Sequence, residues 1–436
     1  MIFILSQGCA ANFGDGEKIA RILSQKSEVS FSFPEPVTNN ITDAASSGTE
    51  SATKSVPEAF YLNVCTVKGN SGALKLLRKA ASTYPGVPIY ITGCAPKDFR
   101  EEAIRVVPQV QFTTLSDLEN DPQFRVDLGN QNIARHKNVL RESPYVGIVN
   151  IEEGCLDACA FCSTHLVKGR LHSFAANTIV DQVQALVDDG CLEIQLTGQD
   201  CACYGFDIGT NLADLTQRIL THVNGNYRIR LGMGNPRHVL GYQEALLDCF
   251  TDDRIYKFIH IPVQSGSEHV LKAMNRRHTA KDYATLAHAF TERFGKFTLS
   301  TDLIVGYPGE TAEDFGETLE LLRDTRPTVC NITRFVARPG TVAARLESTA
   351  EAVPDTVKHE RSAILAEAFQ QIALENNREW IGEECMVVTE KPGHRTGTTI
   401  ARNEAYRPVA LQGTYPAGQA LRVRIKDAET FALLGE

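Results

Sequence analysis

The chain of 436 residues contains no stretch approaching the roughly 18 uninterrupted apolar residues that a membrane span requires, so no part of it is expected to cross a bilayer. Its start, MIFILSQGCAAN, has an apolar run of four residues after Met1, no basic region and no small-residue cleavage pattern, so no export is expected. Positive charge is not in surplus either. A net charge of -9 excludes a uniformly basic nucleic-acid surface and leaves room only for a local one. There is no internal repeat, which argues against a solenoid. A second paired CxxC unit is also missing, and this weakens any reading of the twelve cysteines as a structural zinc site. Without export they do not read as a disulfide framework; metal ligands and reduced thiols in the cytoplasm are expected instead. What remains is an ordinary globular composition, 43% hydrophobic and 22% charged, in a chain long enough for two or three domains.

Apolar runs alternate with helical patterns in residues 1–130, as in an open parallel α/β sheet with crossover helices. Strands are expected at Phe3 to Ser6, Phe60 to Val64 and Ile89 to Thr92, and helices near Glu17 to Leu23, Ala73 to Ala81 and Lys97 to Val106. Between Ser27 and Glu58 lie eleven Ser or Thr in 32 residues, read as a mobile insertion. Residues 141–375 hold six further strand candidates, VGIVNI, EIQLTG, RIRLGM, KFIHIPV, LSTDLIVG and VCNITRF, separated by helical patterns. Six such units suit a partial (β/α)6 barrel, whose chemistry sits at the carboxyl ends of the strands. The tail, 376–436, carries short strand patterns with Gly and Pro punctuation and reads as a small all-β barrel.

Chemistry is concentrated in the segment GCLDACAFC, where Cys155, Cys159 and Cys162 stand at CxxxCxxC spacing just after the first barrel strand. Three thiolates hold three irons of a 4Fe-4S cluster and leave the fourth iron open. The competing readings are a zinc site and buried structural thiols. Spacing, strand-end position and the aromatic Phe161 favour the cluster. A second set follows from topology. Cys9, Cys65 and Cys94 each lie just past an amino-domain strand, and in an open parallel sheet those ends converge on one crevice. Three unrelated buried cysteines remain the alternative there.

Cys9 with Asn12 and Asp15, then LNVCTV, ITGCAPK, GCLDACAFC, LTGQDCACYG, HIPVQSGSEHVLKAMNRR, TDLIVGYPGET and FVARPGT, taken in this order, resemble the radical S-adenosylmethionine (SAM) methylthiotransferases. The resemblance spans nearly the whole chain, and the tail resembles their small RNA-binding TRAM barrel. It implies two 4Fe-4S clusters, one on Cys155, Cys159 and Cys162 and an auxiliary one on Cys9, Cys65 and Cys94. It also implies conversion of C–H to C–SCH3 with two SAM per product, one for the methyl group and one for the radical. The stretch GCLDACAFCSTHLVKGRLHSF, with LTGQD followed by YG, resembles the archaeal and eukaryotic branch that acts on N6-threonylcarbamoyladenosine at position 37 of tRNA, next to the anticodon. The implied partners are that tRNA, a sulfur donor, and a reductase or other electron donor. Two rivals stay open: the same chemistry on isopentenyladenosine or a ribosomal-protein aspartate, and a non-catalytic iron-sulfur protein that binds RNA or senses redox state.

Within the resemblance, Phe161, Gln199, Gln264, Ser265, Asp302, Gly306 and Arg338 are expected to bind cofactor at the strand ends, each against the plainer reading of a structural contact. Asp200 and Gly309 accompany them. Cys201 and Cys203 fall outside the shared motifs and read as small buried residues, like Cys191, Cys249, Cys330 and Cys385. His165 and His172 read as surface or hydrogen-bonding groups. From Lys391 to Lys426 the chain carries seven Lys or Arg against one acid, Glu404. There Arg402, Arg407, Arg422 and Arg424 are expected to meet RNA phosphates and Tyr406 to stack on a base.

Overall fold

The computed structural model describes residues 1–34, 57–65, 70–122 and 140–436, in two compact units, Met1–Glu142 and Ser143–Glu436. Most of the Ser/Thr-rich stretch, 35–56, lies outside the described residues, as does the junction expected between 130 and 141 up to residue 139. No helix among the described residues is long and apolar enough to cross a membrane.

In the first unit, β1 (Ile2–Ser6), β2 (Val29–Ser30), β3 (Ala59–Cys65), β4 (Ile89–Cys94) and β5 (Gln111–Phe112) form one parallel sheet in the order β2-β1-β3-β4-β5. Side chains alternate between its faces with period two, and both faces are covered. Ile4, Tyr61 and Ile19 pack on one side with helix Ala10–Leu23. Leu5, Phe60 and Leu62 meet helices Ser71–Thr83 and Lys97–Val106 on the other, through Leu77 and Phe99. All seven residues of β3 are buried, as befits a central parallel strand.

The second unit opens with β6 (Val146–Asn150), then the short β7 (Glu152–Glu153) and β8 (His172–Ser173), then β9 (Glu193–Thr197), β10 (Arg228–Leu231), β11 (Phe258–His260), β12 (Thr298–Val305) and β13 (Val329–Arg334). Six of them match the six expected barrel strands, but they form two parallel sheets, β10-β9-β6 and β11-β12-β13. Single hydrogen bonds join the halves across β10 and β11, from Tyr256 N to Ile229 O (3.0 Å) and from Gly234 N to His260 O (2.9 Å). Crossover helices start where the sequence supplies caps. Thr279 with Asp282 and Thr311 with Asp314 form complete capping boxes at helices Ala280–Phe294 and Ala312–Thr325.

The tail forms a closed barrel, β14 (Glu384–Pro392), β15 (Thr398–Asn403), β16 (Pro408–Gln412), β17 (Ala420–Ala428) and β18 (Leu433–Gly435), in the order β14-β15-β16-β18-β17. It belongs to the same compact unit as the six strands, because its 403–407 turn packs on their amino-terminal ends. Tyr406 Oη donates to Glu193 Oε1 (2.8 Å) at the start of β9, and its ring lies 4.9 Å from Tyr256 and 5.4 Å below the Arg230 guanidinium. Arg407, 4% exposed, donates to Asn377 Oδ1 (2.6 Å), Phe297 O (3.3 Å) and Thr328 Oγ1 (3.2 Å). Arg402 is paired with Glu390 (2.9 Å) and covers the Tyr406 ring. These positions correct the expectation of RNA contacts at Tyr406 and Arg407, whose polar ends are spent on the seam; Arg402, its side chain 27% exposed, is held within the tail by Glu390 and the Tyr406 carbonyl.

Tyr406 also holds a left-handed backbone, φ 59°, that costs an ordinary side chain about 1 kcal/mol and persists here because the seam packs it in place. Replacing Tyr406 by Ala should lower the unfolding free energy by about 2–4 kcal/mol, and Tyr406→Phe by about 1 kcal/mol, in urea titrations followed by circular dichroism. Two variants as stable as the parent would remove Tyr406 from the seam.

Candidate active site

The cysteine loop has little regular structure of its own, so its shape is imposed from outside. Its base is closed by the antiparallel pair β7 and β8, Glu152 opposite Ser173 and Glu153 opposite His172. Gly154 follows at φ 82°, with its α-carbon so near the Arg170 carbonyl that any Cβ would overlap it; only glycine meets both demands. Gly154 N donates to Gln199 Oε1 (2.7 Å), so Gln199 fastens the loop to the end of β9. On the far side, Ala160 N donates to Met274 O (2.9 Å) and Asn275 Nδ2 to Ala158 O (2.7 Å). Phe161 packs with Val270, Met274, Tyr307 and Phe335, an apolar anchor for the loop.

Asp157 ties the loop to the end of β10. It accepts from Asn235 Nδ2 (2.6 Å), Arg237 Nη1 (2.5 Å) and His238 Nε2 (3.1 Å). Burial opposes its charge, but His238 and Arg237 outweigh it and hold the carboxyl below its ordinary value. Asp157, Asp200 and His238 form the one group of His, Cys, Asp or Glu ligands, among the described residues, gathered within 4.8 Å as a single ion requires. Their oxygens are already engaged: Asp200 Oδ1 accepts from Asn235 N (2.8 Å) and Ala202 N (3.2 Å). This is a bracing network for the loop.

Among the described residues no three cysteine sulfurs gather that closely, whereas thiolates around one tetrahedral zinc stand about 3.8 Å apart. Cys155, Cys159 and Cys162 on one short loop are a donor set of the kind that holds a 4Fe-4S cluster on three thiolates. Their surroundings fit as well. Cys159 Sγ accepts from Arg276 Nη1 (3.4 Å), and Cys155 Sγ from Asp157 N (3.4 Å). Burial pushes the Cys159 thiol up to about 11 against the opposing pull of Arg276. The Cys155 thiol is held below its ordinary value, first of all by a hydrogen bond with Cys203. Cys203 is fully buried, as its composition suggested, yet its sulfur touches a cluster cysteine and donates to Asp200 O (3.1 Å).

The strand-end residues divide into two groups. Asp302 lies within β12 and Gln264 just beyond β11, its backbone N–H donating to Asp302 O (2.9 Å). Asp302 Oδ1 accepts from His260 Nε2 (3.1 Å) and Asn331 Nδ2 (2.6 Å); burial opposes its charge, and these bonds keep the carboxyl below its ordinary value. Gln264 stands at φ 80°, a strained position for a side-chain-bearing residue. Ser265 and Gly306 do other work than expected. The Ser265 hydroxyl is fully buried against Thr318 Oγ1 (3.2 Å) of helix Ala312–Thr325. Gly306 makes room for the Lys358 stem, which a Cβ would strike, and donates its N–H to Glu310 Oε1 (3.0 Å). Arg338 sits in the loop after β13, its carbonyl accepting from Thr341. His260, Asn331, His238, Asn235 and Glu152 were missed by sequence reasoning. His260 stands inside the quoted HIPVQSG motif, and the others lie outside or between the quoted motifs.

In the first unit, Cys9 caps helix Ala10–Leu23 just past β1, and Cys65 and Cys94 are register partners at the ends of β3 and β4. Gly8, at φ 112°, passes so close to Cys65 that a Cβ would overlap its side chain. That glycine lets the Cys9 turn close on Cys65, and the Cys9 thiol is pushed well up by its hydrogen bond with Cys65. Beneath them Asn12 Nδ2 donates to Gln7 O (2.7 Å) and Asn63 O (2.9 Å), tying the two cysteine-bearing turns. Cys9, Cys65 and Cys94 thus all stand at the carboxyl end of one parallel sheet.

Glu152 lies beneath the cysteine loop, 1% exposed, accepting from Asp200 N (2.9 Å). Burial pushes its carboxyl up to about 9, against the opposing hydrogen bond from the Asp200 N–H. The acid is therefore neutral at pH 7, and folding must keep it protonated while the unfolded chain releases its proton above about pH 4.5. Its contribution to stability is thus lost progressively from about pH 4.5 to 9. Glu152→Gln should flatten that loss, so that the variant melts above the parent by a margin growing between pH 5 and 9. A constant margin across that range would show that Glu152 does not titrate there.

Residues 149–322 match the family model described as Radical SAM superfamily. The chain is 33% identical over its whole length, and over 98% of the relative, to the probable threonylcarbamoyladenosine tRNA methylthiotransferase of Archaeoglobus fulgidus. It is 30% identical to the human threonylcarbamoyladenosine tRNA methylthiotransferase over 94% of this chain and 69% of that one. A solved radical S-adenosylmethionine methyltransferase, TsrM from Kitasatospora setae, is similar in fold, with a TM-score of 0.51 at 12% identity over 79% of this chain and 76% of that one.

Proposed function

Because the chain belongs to the threonylcarbamoyladenosine tRNA methylthiotransferases of the radical SAM superfamily, we propose that it converts N6-threonylcarbamoyladenosine at position 37 of tRNA to its 2-methylthio derivative. The observation that carries the proposal is the loop bearing Cys155, Cys159 and Cys162, held by the ends of β9 and β10 and by the turn after helix Glu268–Ala273, inside a chain similar to such enzymes from end to end. A 4Fe-4S cluster on these three thiolates supplies one electron and one open iron, at which SAM is cleaved to a radical able to take hydrogen from a C–H bond. The residues of the chain position that chemistry. Gln199, Asp157 and the Met274–Arg276 turn hold the sulfurs, and Gln264, Asp302, His260 and Asn331 offer hydrogen bonds at the strand ends to SAM or the target base.

Cys9, Cys65 and Cys94 are the residues that would hold an auxiliary 4Fe-4S cluster, which would supply the sulfur chemistry of the transfer. This reading is supported by the placement of the three cysteines at the carboxyl end of one parallel sheet. Two SAM are used per product, and the sulfur and the electrons come from separate donors. The tail barrel contributes RNA binding through the arginines that its seam leaves exposed, Arg422 and Arg424 on β17; Arg422 must exchange its partner Glu384 (3.0 Å) for phosphate.

Nucleoside mass spectrometry of tRNA from a strain lacking this chain tests the substrate. The 2-methylthio-threonylcarbamoyl nucleoside should disappear and its unmethylthiolated precursor accumulate. An unchanged profile rejects the proposal, and loss of the isopentenyl counterpart instead would assign the other tRNA substrate. After anaerobic reconstitution the chain should hold about eight irons, four per cluster, and a variant with Cys155, Cys159 and Cys162 replaced by Ala about half of them. Full iron in that variant would show that these cysteines are not ligands.

A further inference from the structure

Three consecutive residues grip three consecutive residues of the cysteine loop. Met274 accepts from Ala160, Asn275 donates to Ala158, and Arg276 donates to the sulfur of Cys159 between them. The grip is preset by local chemistry. Helix Glu268–Ala273 ends at Met274, Asn275 takes the left-handed conformation (φ 56°), Asn275 N donates to Lys272 O (3.0 Å) and Arg276 N to Leu271 O (2.9 Å). This is the Schellman arrangement with Asn in the usual glycine position. It aims the Arg276 side chain back at the loop, where Nη2 is anchored on Pro262 O (2.7 Å) just beyond β11 and Nη1 reaches Cys159 Sγ (3.4 Å). Arg276 Nε is buried without a partner among the described groups. The guanidinium is thus braced at one nitrogen, bonded to the sulfur at another, and has a donor to spare.

We propose that Arg276 is a positioning residue that raises the reduction potential of the cluster held by Cys155, Cys159 and Cys162. The inference rests on the cluster reading above. Three thiolates around an oxidised 4Fe-4S core carry a net charge of about -1, and reduction makes it about -2 in a site shielded from water. A permanent cation hydrogen-bonded to a ligand sulfur stabilises the more negative state more strongly, and Arg, unlike His or Lys, keeps its charge when buried. Asp157 works the other way, placing a carboxylate on the same loop, but Arg237 and His238 bind that carboxylate, leaving Arg276 as the cation turned on a ligand sulfur.

The test uses the full chain with Cys9, Cys65 and Cys94 replaced by Ala, reconstituted anaerobically, so that one cluster reports. Its midpoint potential is measured by titration with dithionite and redox mediators, followed by electron paramagnetic resonance. Arg276→Gln should bind the same iron and be at least tenfold harder to reduce at a fixed potential, a drop of 59 mV or more for one electron. Arg276→Lys, which cannot span Pro262 and Cys159 together and gives up its charge more readily when buried, should fall between the two. An unchanged midpoint in an iron-replete Arg276→Gln protein overturns the inference. A background protein that takes up no iron at all would instead reject the cluster reading. A second measurement does not depend on the variants folding. In the reduced parent labelled with 15N-arginine, electron-nuclear double resonance should detect guanidinium nitrogen coupled to the cluster, and its absence would overturn the contact.

Discussion

Three sulfurs have to be held at fixed spacing by a loop that cannot hold itself. Residues 154–163 make one internal backbone hydrogen bond of note, Cys162 N to Cys159 O (3.0 Å), so nearly every other polar group must find its partner elsewhere. The structure answers from three sides. The end of β9 supplies Gln199, the end of β10 supplies Asn235, Arg237 and His238 through Asp157, and the turn after helix Glu268–Ala273 supplies Met274, Asn275 and Arg276. Parallel strands with short crossovers bring these ends to one face, which is why a site assembled from residues more than a hundred positions apart is stable. Several residues that look like cofactor ligands in the sequence, Gln199 and Phe161 among them, turn out to be the loop's fastenings.

The opposite end of the same strands is governed by a different constraint. A half-open set of six strands exposes the amino-terminal mouth, where Glu193, Arg228 and Arg230 begin β9 and β10. Tyr406 and Arg407 fill that mouth. Glu193 is nearly water-free there, and burial pushes its carboxyl up despite the hydrogen bonds from Gln195 and Tyr406. The tail barrel is therefore also a floor for the six strands, joined to them by a seam of hydrogen bonds and stacked rings.

The first unit solves its own version of the sulfur problem with asparagines. Asn12, in the first turn of helix Ala10–Leu23, and Asn63, within β3, each donate their amide N–H to the other's backbone. Their side-chain oxygens are buried with no partner among the described residues, facing the glycine of β4, Gly93, where a Cβ would strike both. Close approach of three strand ends, each carrying a cysteine, is obtained at the expense of two hydrogen-bond acceptors.

The parallel sheets, the six barrel strands and the closed tail were legible in the chain because each rests on local pattern: period-two apolar runs, turn punctuation and cap residues. The use of individual polar side chains was not legible. Arg407 and Arg424 belong to one basic run, yet one is buried on Asn377 and the other lies in water, because strand register and the docking of the barrel decide which way each points. Cys203 looked like any small core residue until folding brought it to Cys155, and Arg276 was one cation among many until a left-handed Asn275 aimed it at Cys159. Sequence by itself determined which chemistry the protein can hold, since ligand type and spacing are covalent properties of the chain. Only the tertiary structure decided which residues brace, tune or bury that chemistry, since those roles depend on distances between segments that the chain's local order leaves open.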